Sequence, residues 1–99
     1  MERRKQVYKI TYPNGKIYVG MDLTGSLLYL GIPKAHARIA ADLDDHRLDL
    51  TLHKEILWES ETATDAEVHA MEWKLTRESG ANDPAIGYNN WPRLPPNRR

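Results

Sequence analysis

The sequence has no cysteine, no net charge and no long apolar run, and each absence closes off a class of function. Without cysteine there is no disulfide framework and no thiolate metal site, a composition compatible with a reducing compartment. Acidic and basic residues balance at 14 each, so an overall positive field is missing. Any hold on nucleic acid then has to come from local patches, because affinity follows the number of phosphates neutralised. No apolar stretch reaches the roughly 20 residues that span a bilayer. The basic N-terminus leads into a strand pattern, not into the apolar centre of a signal peptide, and the expectation is a soluble, cytoplasmic protein. There is no Gly-rich phosphate loop and no Ser/His/Asp arrangement. His36, His46, His53 and His69 never fall at a tight ligand spacing on one element, which argues against a zinc site.

What is present fits one small domain over residues 1–99, with a basic tail at 1–5 and a Pro/Arg-rich tail at 92–99. Its clearest feature is Val7 to Gly20, VYKITYPNGKIYVG. Two runs rich in β-branched and aromatic residues flank Pro13-Asn14-Gly15, the pattern of a β-hairpin. Pro13 presets φ at the second position of a type I turn, Asn14 suits the third, and Gly15 takes the left-handed conformation that closes a three-residue loop. A two-residue Asn14-Gly15 loop is the rival, and it would place Pro13, which lacks an N–H, at a paired strand position. With three residues in the loop, Tyr12 pairs with Lys16, Ile10 with Tyr18 and Tyr8 with Gly20. Alternation then puts Tyr8, Tyr12, Lys16 and Tyr18 on one face and Val7, Ile17 and Val19 on the other. The first face gathers phenol hydroxyls and an ammonium; the second reads as core.

Further along, Gly25, Gly31 and Pro33 punctuate a short apolar run, Leu27 to Leu30, which is left open between loop, helical turn and bulge. Lys34 to Leu43 reads as a short helix with Ala35, Ile39 and Leu43 at four-residue spacing, ended by Asp44 and Asp45. Alternation of Leu48, Leu50, Leu52, Ile56 and Trp58 with polar partners predicts a third strand over Leu50 to Glu59. Thr64 and Glu67 form a capping box, and the following helix should run from about Asp65 to Ser79 and stop at Gly80. Hairpin, helix, strand, helix implies an α+β domain: a small three-stranded antiparallel sheet flanked by helices.

Glu72 stands out among the carboxylates. At about 100° per residue it sits beside the apolar stripe Val68, Met71 and Leu75 and away from the solvated face. A carboxylate there either joins a hydrogen-bond network or binds a cation, since leaving it unpaired is costly. Trp58, Trp73, Trp91 and Tyr88 read as packing or partner surface.

Gln6-Val7-Tyr8, ten residues from tyrosine to tyrosine, and Asn14-Gly15-Lys16 ahead of Tyr18-Val19-Gly20 resemble the paired signature of the GIY-YIG nuclease family. Gln6 replaces the usual glycine, and Val7 and Val19 replace isoleucines. The family's fold is similar to the layout above over nearly the whole chain. The resemblance implies a metal-dependent DNA endonuclease that hydrolyses phosphodiester bonds with one Mg²⁺ or Mn²⁺. Tyr8 and Tyr18 would take the two tyrosine roles, as base or to position the nucleophile, and Glu72 would bind the metal. Asn89, in Gly87-Tyr88-Asn89, matches the asparagine that borders the site. Lys16 would hold a phosphate or ease ionisation of a phenol.

The family arginine, about ten residues past the second tyrosine, is Leu28 here. Arg38 takes its place if residues 21–33 are an insertion that delays the helix; Arg47 is the next choice. Loss of that clamp favours an alternative, a catalytically degenerate module of the same fold that binds nucleic acid or protein. A third reading is a structural domain whose tyrosine face is covered by its own chain. With no appended recognition module expected, specificity would come from a second copy, a separate targeting protein or the shape of the nucleic acid.

Overall fold

The structure, a computed structural model, describes residues 4–25, 35–46 and 48–93. Five main elements follow in order: β1 (Lys5–Thr11), β2 (Ile17–Asp22), α1 (His36–Asp42), β3 (His53–Ser60) and α2 (Asp65–Ser79), with a 3₁₀ turn at Asp44–His46 after α1. The sheet is antiparallel with strand order β2-β1-β3. This is the α+β architecture that the element order implied.

The hairpin has the three-residue loop. Tyr12 N–H donates to the Lys16 carbonyl at 2.9 Å, Gly15 N–H donates to the Tyr12 carbonyl at 2.8 Å, and Gly15 has φ of 86°. The Asn14 side chain tightens the turn by accepting from Lys16 N–H at 3.0 Å. Ile10 pairs with Tyr18 and Tyr8 with Gly20, so the two faces divide as the alternation requires. β2 runs two residues further than expected, to Asp22.

Both faces of the sheet are cores. Val7 and Val19 pack with Val68 of α2 and with Ala81, and Ile17, Met71 and Leu75 close around them. On the other face Tyr8, Ile10 and Tyr12 pack with Ala35, Ile39 and Leu43, the stripe of α1, and with Tyr88. The expectation of an open phenol face is therefore corrected: α1 covers it, and Tyr8 is only 1% exposed. A phenol ring is mostly hydrocarbon, so burying it is favourable once its hydroxyl has a partner.

α2 begins with the capping box, Thr64 Oγ1 accepting from Glu67 N–H at 3.1 Å and Glu67 Oε1 accepting from Thr64 N–H at 2.7 Å. It ends at Gly80, whose φ of 80° is the left-handed cap. Three sequence boundaries shift. β3 starts at His53, and Leu48 and Leu50 lie exposed before it; their alternation with Asp49 and Thr51 mimics a strand without a neighbour to pair with. A bulge between Val7 and Tyr8 sets Val7 opposite Trp58 and Tyr8 opposite Ile56, which restores Ile56 to the tyrosine face and Trp58 to the valine face. The tails are also shorter than expected. Lys5 already belongs to β1, Arg4 is ion-paired with Glu59 and Glu61, and the buried Pro92 accepts a hydrogen bond from Asn82 Nδ2 at 2.6 Å. The run Leu27 to Leu30, Arg47 and residues 94–99 lie outside the described residues.

At Gly20 the Tyr8 phenol lies across the strand, and an added Cβ would stand 2.5 Å from its Oη and 2.9 Å from the Tyr18 ring. Gly20→Ala is expected to lower stability by about 1–3 kcal/mol through overpacking. Urea denaturation checks this, and a midpoint unchanged from the parent would contradict it.

Candidate functional site

The outer edge of β2 would present unpaired peptide groups, and the segment after α2 covers part of it. Ile17 N–H donates to the Ile86 carbonyl at 3.1 Å, and Tyr88 N–H donates to the Ile17 carbonyl at 2.9 Å. Two residues on, the chain replaces backbone pairing with a side chain: Asn89 Oδ1 accepts from Val19 N–H at 2.8 Å and Asn89 Nδ2 donates to the Val19 carbonyl at 2.7 Å. Gly87 permits the approach, because a Cβ there would stand 2.5 Å from the Ala81 carbonyl oxygen.

A cleft of about 310 Å³ opens beside this strap. β2 contributes Tyr18 and Met21, α2 contributes His69, Glu72 and Trp73, and the C-terminal segment contributes Tyr88 through Trp91. Residues 69, 72 and 73 are related as i, i+3 and i+4, which puts them on one side of α2.

Among the described residues Glu72 is the only carboxylate in the lining. Its side chain is 16% exposed, and His69 Nδ1 lies 3.9 Å from its Oε1. Burial pushes its pKa up, with His69 opposing; no hydrogen bond among the described residues satisfies its oxygens. A desolvated carboxylate in this state has open coordination capacity and gains from a cation. Among the described residues no cluster of three or more His, Asp or Glu surrounds it. A hard divalent ion held here would depend on this one carboxylate together with water and substrate oxygens.

Three of the expected site residues, Tyr18, Glu72 and Asn89, line this cleft. The others lie elsewhere. Tyr8 is behind Gly20, outside the lining. Lys16 and Arg38 are on the α1 side of Tyr88: Lys16 Nζ is 3.4 Å from Asp42 Oδ2, and the two cations lie 5.5 and 5.4 Å from the centre of the Tyr88 ring. The Tyr88 hydroxyl accepts from Asn14 Nδ2 and donates to Asp42 Oδ2, both at 2.8 Å. That bond holds the Asp42 carboxyl below the usual range, and Lys16 and Arg38 act in the same direction. Burial raises the Tyr88 phenol. Leu28 lies outside the described residues. Gln6, at the position of the family glycine, is buried with its amide oxygen lacking a partner among the described residues.

The sequence weighs His69 only as a zinc ligand, and argues against that, and it reads Trp73 and Trp91 as packing or partner surface. The spacing of His69 and Trp73 around Glu72 was a legible signal. Trp91 carried none, since its position depends on the strap. No family model, no curated protein and no solved structure matches the chain.

Two outcomes follow from these contacts. A carboxyl whose pKa rises on folding keeps its proton in the native state where the unfolded chain has lost it, so stability falls as pH rises above about 4.3. Glu72→Gln should match the parent below that pH and be the more stable protein at pH ~8, measured by urea denaturation across the range. Equal pH profiles would contradict it. Asn89→Ala leaves the buried Val19 peptide without partners on that side and should cost about 1–3 kcal/mol, read by the same method.

Proposed function

We propose that the cleft is the active site of a divalent-metal-dependent DNA endonuclease of the GIY-YIG type. The observation that carries this reading is the convergence of Tyr18, Glu72 and Asn89, from three distant parts of the chain, on one open cavity. Glu72 fits the part of metal-binding residue because its side chain is mostly buried and no hydrogen bond among the described residues engages its carboxylate. Mg²⁺ or Mn²⁺ bound there would supply charge stabilisation at the departing oxygen of the phosphodiester. Tyr18 orients the attacking water or the scissile phosphate through its hydroxyl. Asn89 fixes the strand that carries Tyr18, acting through the Val19 peptide. Tyr8, buried against Gly20 and outside the lining, is given a positioning role on the strand that carries Tyr18.

One observation favours a second reading, the degenerate module that binds without cutting. Among the described residues the lining of the cleft contains no arginine or lysine, and Arg38 is engaged with Tyr88 on the far side. Electrostatic clamps on a transferring phosphoryl group are worth orders of magnitude in rate.

The test is Mg²⁺-dependent cleavage of plasmid, single-stranded and branched DNA by the intact chain. Glu72→Ala should lower the rate by roughly 100-fold or more while circular dichroism stays native. Cleavage by that variant at the parental rate removes the proposal. Retardation of DNA by the parent with no cleavage in Mg²⁺ or Mn²⁺ selects the second reading.

A further inference from the structure

The walls of the cleft are aromatic to a degree that metal binding does not require. Trp73 and Trp91 are 36% and 49% exposed, unusual for tryptophans in so small a domain, and both face the same cavity as Tyr18. A cation borders one of these rings. The Arg93 guanidinium lies 4.8 Å from the centre of the Trp91 ring. Arg77, four residues after Trp73 on α2, is exposed along the same helix side. Asn89 and Asn90 bring amide groups to the lining. The volume, about 310 Å³, is at the small end for ligand pockets and suits one nucleotide-sized group.

Aromatic planes flanked by arginines, with amides between, are the chemistry that holds unpaired nucleobases: each base has a π-face to stack, and the neighbouring phosphates meet the cations. Building on the endonuclease reading, we infer that the cleft takes an unstacked nucleobase of single-stranded nucleic acid, held against Trp73 and Trp91 with its phosphate toward Arg93. Paired DNA keeps its bases stacked on each other and offers no free face to these rings. The substrate class is therefore single-stranded nucleic acid or the unpaired segment of a branched one.

Binding is measured on the full chain in EDTA, where cleavage plays no part, by titrating octathymidylate or a blunt eight-base-pair duplex and following tryptophan emission and oligonucleotide anisotropy. The expected result is quenching of emission by the single strand and an affinity for it roughly tenfold or more above that for the duplex. Trp73→Ala and Trp91→Ala should each weaken single-strand binding by roughly 5- to 150-fold, the span that loss of one base–aromatic stack produces. Trp91→Phe, which keeps an aromatic plane, should retain most of the affinity, and it decides the matter if an alanine variant fails to fold. Equal affinity for single strand and duplex, natively folded alanine variants that bind like the parent, or quenching by tetramethylammonium with no response to octathymidylate would overturn the inference. Failure of Mg²⁺-dependent cleavage with these binding results intact would remove the endonuclease reading alone.

Discussion

The site depends on how one peptide group is satisfied. Val19 lies on the outer strand of the sheet, fully buried, and its N–H and carbonyl both need partners away from water. The Asn89 amide supplies one donor and one acceptor in the geometry of a neighbouring strand. That pair of bonds ties the segment after α2 to the hairpin. It thereby sets Tyr88, Asn90 and Trp91 opposite the side of α2 that carries His69, Glu72 and Trp73. The backbone bonds at Ile17 hold the segment one step earlier, and the Asn89 pair extends that hold to the residues that line the cavity.

Tyr88 holds the other side of the strap. Its ring packs edge-on to Tyr12 at 5.4 Å between centroids, and its hydroxyl joins the hairpin turn to α1 through Asn14 and Asp42. The consequence for chemistry is a separation of charges. Asp42 keeps Lys16 and Arg38 in its neighbourhood, so these two cations do not line the cleft. The carboxylate of Glu72 is left among aromatic rings and amides.

A carboxylate in such surroundings is costly to ionise alone, and the same low polarity strengthens any cation it does hold. The proposed roles divide accordingly: the acid meets a metal ion, the tryptophans meet a base, and Arg93 at the rim meets phosphate. Tyr8 serves the site indirectly, since its phenol lies against Gly20, a residue between Tyr18 and Met21 on the strand that lines the cleft.

The sequence by itself determined the local structure. Turn residues set the loop length, alternation sorted the side chains of β1 and β2 onto two faces, and the capping box and Gly80 bounded α2 to the residue. These are decided by φ, by hydrogen bonds a few residues apart and by periodicity, all of which are written in consecutive letters. Glu72 was legible for the same reason, as a carboxylate beside an apolar stripe. Only the tertiary structure decided that α1 covers the tyrosine face, that Leu48 and Leu50 find no strand partner, that Arg38 turns to Tyr88, and that Trp91 arrives beside Trp73. Each of these follows from which surfaces meet after the sheet forms. That outcome is set by burial and by long-range pairs such as Val19 with Asn89, 70 residues apart, for which no local pattern exists.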